Sequence, residues 1–119
     1  MTRYGILSVD VGSVSVSLVL VGDDRTVQRW DHRAHHGRVS NTVRTMLDAL
    51  ELERVRAIVA TSGTPGLIQA DARIDWMSAL VTAHRALSPD APNLLVVGGE
   101  RFALLRFDEQ GNYRSSRGN

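Results

Sequence analysis

Cysteine and lysine are both absent from the 119 residues of this chain. Without cysteine, the chain itself can form no disulfide, thiolate zinc site or iron–sulfur centre, and without lysine it lacks the Gly-Lys-Ser/Thr end of a Walker phosphate loop. Its 14 basic residues, all of them arginine, stand against 13 acidic ones, for a formal charge of +1. So small a charge provides no broad attraction for nucleic acid or anionic lipid, and we expect neither as a partner.

Long apolar runs are also missing. The stretch after Arg3 is interrupted at Ser8, Asp10 and Gly12, whereas a transmembrane span needs about 20 apolar residues. We therefore expect a soluble, cytoplasmic protein. The hydrophobic fraction of 43% is enough to fill the core of one domain, but the length is too small for two full lobes around a cleft.

The first half of the chain predicts three strands and a helix. The strands cover residues 4–9, 15–21 and 26–32. Short polar turns separate them, which favours an antiparallel meander. From Val39 onward, apolar residues recur at helical spacing, with Ser40 or Asn41 available as the N-cap.

The middle of the chain predicts a buried strand over residues 55–60 and then a second helix. The loop between them covers residues 61–66, with Pro65 suited to the first helical position. The residues expected on one side of this helix are Ile74, Met77, Leu80 or Val81, His84 and Leu87. We interpret His84 as a hydrogen-bonded core or interface histidine.

A strand pair and a polar tail complete the chain. The strands cover residues 94–97 and 102–107, followed by a turn at 108–112. The order βββαβα and then ββ is typical of an α/β, ribonuclease-H-like fold, a mixed sheet with a three-strand antiparallel meander and a right-handed βαβ crossover. The fourth strand then lies beside the first, so the loops after these two strands meet where α/β sheets bind ligands. We assign residues 1–92 to a first lobe and residues 93–119 to a β-hairpin and tail, which either pack on that lobe or start a second one.

Residues 9–15, Val-Asp-Val-Gly-Ser-Val-Ser, contain the most informative candidate site. Phosphate binding needs converging backbone N–H groups, a glycine that allows close approach and a carboxylate that holds magnesium through its waters. Asp10 provides the carboxylate, while Gly12 and Ser13 provide N–H groups and the Ser13 hydroxyl an extra ligand. The alternative is an ordinary hairpin whose Asp and Gly satisfy turn geometry.

Two further loops contain candidate phosphate-binding glycines. Gly98 and Gly99 follow an apolar strand and could face the first turn, although a two-glycine hairpin is the simpler local interpretation. Gly63 lies in the loop after the fourth strand, which could close over a nucleotide or simply connect a strand to a helix.

Three histidines near the third strand raise the question of a metal site. They are His32, His35 and His36. No acidic or histidine partner follows them at helical spacing, so we expect no metal there.

Two segments together resemble a known family. Residues 7–13, Leu-Ser-Val-Asp-Val-Gly-Ser, resemble the first phosphate motif of the superfamily that includes actin, hexokinase and the heat-shock chaperone ATPases. Their pairing with residues 94–100, Leu-Leu-Val-Val-Gly-Gly-Glu, is similar to the ATPase activators of 2-hydroxyacyl-CoA dehydratases and benzoyl-CoA reductases. Residues 97–113 look like the version found at the front of long chains that fuse activator and dehydratase modules.

This resemblance implies one lobe of a two-lobed ATPase, usually a homodimer, that holds a shared iron–sulfur cluster and passes an electron to a dehydratase or reductase partner. It implies ATP and Mg²⁺ as ligands, with Asp10 as the catalytic and metal-side residue. The nucleotide-binding positions that it implies are Gly12, Ser13, Gly63, Gly98 and Gly99. The family's cluster cysteine lies beyond the position where this chain stops, so we expect an N-terminal fragment with little activity of its own.

The sequence departs from the family's pattern at three places. Val96 stands where members often carry aspartate, Glu100-Arg101 where they carry Gln-Asp, and Ser17 where lysine is common. These departures motivate a second hypothesis, a degenerate lobe kept as a docking module. A third hypothesis is a lobe of a sugar or carboxylate kinase of the same superfamily, with Asp75 as the candidate acceptor-binding carboxylate.

Overall fold

Two separate β-sheets organise residues 5–119, the part of the chain that the computed structural model describes. Unit 1 ends at Asp75 and unit 2 begins at Trp76, and each unit contains one of the sheets. No helix within residues 5–119 is long and apolar enough to cross a membrane. The division into lobes at residues 1–92 and 93–119 concerns the whole protein and stays a prediction.

Unit 1 contains a five-stranded mixed sheet. Its elements are β1 (Gly5–Val11), β2 (Ser15–Gly22), β3 (Val27–Ala34), α1 (Val39–Asp48), a 3-10 turn (Leu52–Arg54), β4 (Val55–Thr61) and β5 (Ala72–Ile74). The strand order is β3-β2-β1-β4-β5; β2 runs antiparallel to both of its neighbours, and β4 runs parallel to β1. The predicted meander and the position of the fourth strand beside the first are confirmed. Tyr4, predicted to open the first strand, lies outside the described residues.

The alternating pattern of β1 places its apolar side chains on one face of the sheet. Leu7, Val9 and Val11 are buried, and the residues between them are exposed on the opposite face. Val43 and Met46 of α1 belong to the same core cluster. Because burying each such side chain stabilises the fold by about 1.5–3 kcal/mol, α1 is held to one face of the sheet and the other face of β1 stays accessible.

The start of α1 differs from the prediction. Arg38 is the N-cap and no side chain caps the helix, whereas Ser40 and Asn41 lie inside its first turn. The two preceding residues, His36 and Gly37, have positive φ angles of 49° and 79°, which reverse the chain before the helix. This backbone turn, and not a polar side chain, sets where α1 begins.

The segment after β4 also differs from the prediction. Pro65 opens no helix; residues 65–71 lead instead into β5, which pairs parallel to β4. Ile74 therefore belongs to a strand and not to the second helix. A strand of three residues is too short to show an alternating pattern in the sequence, which is why it was missed.

Unit 2 packs one helix on a three-stranded antiparallel sheet. Its elements are α2 (Trp76–Leu87), β6 (Asn93–Val97), β7 (Phe102–Phe107) and β8 (Tyr113–Gly118), and its strand order is β6-β7-β8. The core consists of Ala103, Leu105 and Phe107, against which the apolar side of α2 packs. Leu87, predicted on that side, is instead 81% exposed, so the packed stripe of α2 ends one turn earlier.

The predicted polar tail is a strand. All six residues of β8 are exposed, and they pair with β7 through the backbone. Backbone pairing needs no apolar side chain, so the sequence pattern did not indicate a strand here. The residues of β8 contribute no side chain to the core of unit 2.

Two leucines of this sheet test the core of unit 2. Leu105 is 0% exposed and Leu95 is 64% exposed. We expect Leu105→Ala to lower the free energy of unfolding of unit 2 by about 2–5 kcal/mol, because it leaves a cavity, and Leu95→Ala to change it by less than about 0.5 kcal/mol. Both changes in the free energy of unfolding can be measured by urea denaturation. The fluorescence of Trp76 monitors the transition, in a chain that also carries Trp30→Phe. Equal effects would contradict the assigned faces of the sheet.

Candidate functional site

The turn between β1 and β2, residues 12–14, is called the glycine turn below. The N–H of Gly12 donates to the carbonyl of Ser15 at 2.9 Å, so this N–H is already used within the turn. The N–H groups of Ser13 and Val14 have no acceptor within residues 5–119. The glycine turn therefore offers a ligand these two donors, and the sequence prediction had missed Val14.

The glycines of the two loops in unit 1 have open surroundings. A Cβ at Gly12 would lie 3.7 Å from the nearest atom, the Ser15 carbonyl oxygen, and a Cβ at Gly63 would meet nothing within 4 Å. Neither glycine has a positive φ, so the backbone conformation does not require glycine at these positions. Their small size instead leaves room for a ligand to approach the backbone.

Asp10 lies near the end of β1 on the exposed face of the sheet, beside the end of β4. The hydroxyl of Thr61 donates to Asp10 Oδ1 at 2.8 Å. Because a threonine hydroxyl has a single proton, Thr61 Oγ1 must accept the hydrogen bond that joins it to Thr64 Oγ1 at 2.9 Å. Thr64 in turn accepts from the N–H of Val11 at 3.1 Å. This threonine relay, formed by Thr61 and Thr64, runs in one direction from the β1 backbone to the carboxylate and orients it.

The loop that carries the threonine relay is fixed by Arg73. The Arg73 guanidinium donates to the carbonyl oxygens of Thr64, Pro65 and Ile68, and Thr64 itself is only 3% exposed. This loop also contains Gly63. The loops after β1 and β4 thus meet at one end of the sheet, as predicted for the carboxyl ends of neighbouring parallel strands.

His35 holds the glycine turn in place through hydrogen bonds to its backbone. The sequence did not reveal this role. The side chain is 8% exposed, and its Nδ1 accepts the N–H of Gly37 at 3.0 Å. The proton of the neutral ring is therefore on Nε2, which donates to the carbonyl of Gly12 at 3.0 Å. The backbone N–H of His35 also donates to the carbonyl of Val14 at 3.0 Å, so this residue ties both ends of the turn to the segment before α1.

Four polar side chains form a row across the exposed face of the sheet, just below the glycine turn. The strand register sets Asp10 opposite Ser17 and Ser17 opposite His32. Ser17 Oγ and His32 Nδ1 are 2.7 Å apart. With Thr61 on the other side of Asp10, these residues make up what we call the polar row.

Gly98 and Gly99 lie in unit 2, in the turn between β6 and β7. The N–H of Gly98 donates to the carbonyl of Arg101 at 2.7 Å, which closes the hairpin, and both glycines are exposed. A hairpin at this position is confirmed, but the residues enclosed by its closing bond are Gly99 and Glu100 and not the two glycines. Contact of these glycines with a nucleotide stays a prediction.

The expectation for His84 of α2 is confirmed. The side chain is 3% exposed and Nε2 is 2.7 Å from the carbonyl oxygen of Ala91. The ring stacks on Phe107 with centroids 3.6 Å apart. This histidine is therefore a packing residue of unit 2.

Within residues 5–119, no three His, Asp or Glu side chains lie close enough together to hold a metal ion. Both ring nitrogens of His35 are bonded to backbone groups. The candidate site therefore provides a single carboxylate, that of Asp10. One carboxylate fits magnesium, which proteins bind through one or two carboxylates together with waters and substrate phosphates.

Comparison with known proteins identifies the fold. No protein-family model and no curated protein matches the sequence, but solved structures match. The activator of 2-hydroxyisocaproyl-CoA dehydratase from Clostridium difficile, solved with bound ADPNP, has a TM-score of 0.75 and 17% identity over 97% of this chain and 45% of its own. Component A of (R)-2-hydroxyglutaryl-CoA dehydratase from Acidaminococcus fermentans has a TM-score of 0.80 and 16% identity over 98% of this chain and 47% of its own. An exopolyphosphatase from Cytophaga hutchinsonii has a TM-score of 0.71 and 15% identity over 97% of this chain and 50% of its own.

These neighbours share the actin-like ATPase fold, so the predicted α/β, ribonuclease-H-like class is confirmed. Identities of 15–17% establish the fold alone. The chain spans a little less than half the length of the two dehydratase proteins.

Replacing His35 tests its support of the glycine turn. His35→Ala leaves the Gly12 carbonyl and the Gly37 N–H without their partner, and the loss of a buried hydrogen-bonding group costs about 1–3 kcal/mol. We expect the free energy of unfolding of unit 1 to fall by that amount and the NMR order parameters of residues 12–14 to decrease. His36→Asn is the control, because asparagine tolerates a positive φ, and it should change neither quantity. Unaltered order parameters in His35→Ala would show that the turn holds its shape without this side chain.

Proposed function

We propose that this chain is the nucleotide-binding lobe of an ATP-dependent activator that passes an electron to a 2-hydroxyacyl-CoA dehydratase or a related reductase. The observation that carries the proposal is the position of Asp10, oriented by the threonine relay beside two unused N–H groups of the glycine turn. A carboxylate for magnesium and N–H donors for phosphate oxygens are the parts that such a site needs. The fold shared with proteins of two dehydratase systems, one of them solved with bound ADPNP, supports this choice of ligand.

In this proposal Asp10 holds magnesium through bound waters. Thr61 donates to one oxygen of the carboxylate, and an ionised carboxylate has about four lone-pair sites, so acceptor sites remain for the waters. Magnesium held there would neutralise phosphate charge and help to orient the substrate. The threonine relay matters because it fixes the carboxylate before the ligand arrives, and a fixed group needs no reorganisation during binding.

Phosphate contact falls to Ser13 and Val14. Their N–H groups are adjacent in the glycine turn, and successive backbone N–H groups of a turn form an anion-binding nest. Gly12 contributes its small size, since a Cβ there would have only the Ser15 carbonyl oxygen within 4 Å, at 3.7 Å, and its absence lets a phosphate approach closely. The Ser13 hydroxyl is a further donor.

The remaining glycines complete the proposed nucleotide contacts in the whole protein. Gly63 has open space around its Cβ position, which suits close approach of the nucleotide to the loop after β4. Gly98 and Gly99 are exposed at the β6–β7 turn and are assigned to a second phosphate loop. Closure of two loops on a nucleotide excludes water and strengthens electrostatic contacts. A chain with only part of that cleft should bind nucleotide weakly and hydrolyse it slowly.

The other parts of the proposed activator lie outside this chain. The chain has no cysteine, so thiolate ligands for an iron–sulfur cluster must come from the rest of the protein, together with the second lobe and the contacts of a homodimer. The dehydratase or reductase partner is proposed from the two dehydratase-system neighbours. We also propose that the protein is cytoplasmic, because the activator would need the ATP of that compartment.

Removing the charge of Asp10 tests the nucleotide site. We expect Mg-ATP to shift the amide signals of Ser13 and Val14, and Asp10→Asn to weaken this binding by roughly 10-fold, because an amide cannot replace the charge that holds magnesium. Asp48→Asn makes the same chemical change at the exposed end of α1 and should bind like the unaltered chain. An NMR titration with ATP, with and without magnesium, measures these effects.

Two results would contradict the proposal at different levels. Equal binding of Mg-ATP by the unaltered chain and Asp10→Asn would exclude the role of Asp10. Absence of shifts, both here and in a longer chain with two lobes, would exclude nucleotide binding and favour a docking module. In the whole protein, ATP-dependent reduction of a dehydratase or reductase tests the activator role, whereas phosphorylation of sugars or acids would favour a kinase.

A further inference from the structure

We infer that His32, supported by Ser17, donates a hydrogen bond to the outermost phosphate of the nucleotide and so makes the site prefer ATP over ADP. The inference rests on the proposed function, because it requires a nucleotide at Asp10. It arises from the polar row, which places a nitrogen donor two strands away from the carboxylate on the same exposed face.

The register of the sheet gives the placement. Asp10 lies opposite Ser17, and Ser17 lies opposite His32. Neighbouring strands are about 4.8 Å apart, so the backbone at His32 is about 10 Å from the backbone at Asp10. The row runs directly below the glycine turn, whose free N–H groups belong to Ser13 and Val14. A phosphate chain that starts at those N–H groups can therefore extend along the row.

The hydrogen bond to Ser17 presents the imidazole as a donor. When the Ser17 hydroxyl donates to Nδ1 across the observed 2.7 Å, the ring proton is on Nε2. His32 is exposed, and its Nε2 has no hydrogen-bond partner within residues 5–119. Ser17 thus fixes one nitrogen and leaves the other available to an anion.

Two arginines of unit 1, Arg73 and Arg33, already have other partners. The chain has no lysine, and the Arg73 guanidinium bonds to backbone carbonyls of the loop after β4. Arg33 pairs with Asp31 at 3.0 Å, and strand alternation places both of these on the opposite face from His32. Among the four members of the polar row, only His32 has a nitrogen that can donate to a phosphate oxygen.

A contact between His32 and the outermost phosphate would change the relative affinity for ATP and ADP, whereas the Ser17–His32 bond between strands would not. A hydrogen bond that only joins β2 to β3 would affect stability and leave the relative affinity for ATP and ADP unchanged. A contact made by His32 to the third phosphate is available to ATP and lost with ADP. The ratio of the two affinities therefore separates a positioning or binding role from a structural one.

The test measures dissociation constants for Mg-ATP and Mg-ADP by NMR titration of the unaltered chain, His32→Ala, His32→Gln and Ser17→Ala. We expect His32→Ala to weaken ATP binding roughly 10-fold, because hydrogen bonds to charged groups are the strong ones, and to change ADP binding less than about 2-fold. His32→Gln retains an amide donor and should recover part of the loss. Ser17→Ala should lose part of the preference for ATP. His36→Asn, which changes an exposed histidine outside the polar row, is the control.

The outcomes distinguish this inference from the proposed function. If the unaltered chain binds ATP and ADP and His32→Ala weakens both equally, or weakens neither, then His32 has no contact with the outermost phosphate and the nucleotide site stands. If the unaltered chain binds neither nucleotide, in this form or as part of a two-lobed chain, both the site and the contact are excluded. Thermal denaturation of each variant confirms that the compared chains are folded.

Discussion

The parallel pairing of β1 with β4 is the constraint on which the candidate site depends. The register sets Val9 opposite Ala60, so the next residues, Asp10 and Thr61, lie side by side near the ends of their strands and form a hydrogen bond. A shift of one residue in this register would turn the side chains of one strand to the other face of the sheet and separate the carboxylate from the threonine relay. The buried apolar face prevents that shift, because α1 packs against residues that must stay on their own side. Core packing thus positions a polar group that takes no part in the core.

The sequence predicted the parts of the fold whose signal is local. A short apolar run in β1, alternation in β2 and helical spacing after Val39 indicated a meander followed by a crossover, and the rules of right-handed connection placed β4 beside β1. The elements that were missed have weak local signals: β5 has three residues, and β8 has no buried side chain. The starting point of α1 depends on the backbone angles of His36 and Gly37, which residue identity alone does not determine.

The sequence predicted the central carboxylate, the turn after it and the meeting of the loops after β1 and β4, but not the side chains that hold them in place. Asp10, Gly12 and Ser13 follow one another in the chain, so a motif shows them. The groups that hold them come from far along the sequence: Thr61 is 51 residues from Asp10 and His35 is 23 residues from Gly12. Such partners have no periodic signal, and nothing in the sequence around His35 indicated a hydrogen bond to a turn. The exact donors of the turn also depend on an internal bond of Gly12 that no motif records.

The candidate site of unit 1 is polar, yet the chain has no lysine that could serve it. Arg73 has a structural role, because its guanidinium donates to backbone carbonyl oxygens of the loop after β4. The donors that we propose at the site are backbone N–H groups, hydroxyls and an imidazole, which are compact and have few rotatable bonds. Groups of this kind lose little conformational freedom when a ligand binds.

The single direction of the threonine relay has an evolutionary consequence. Each hydroxyl has one proton to give, so the first donor, the backbone of Val11, and the last acceptor, Asp10, determine the role of every group between them. A lineage that replaced the carboxylate would leave the hydroxyl of Thr61 with no acceptor, and selection on Thr61 and Thr64 would relax together. Positions 10, 61 and 64 should accordingly change in concert among descendants of this protein, and a homologue that kept the threonines after losing the acid would need some other acceptor at the same spot.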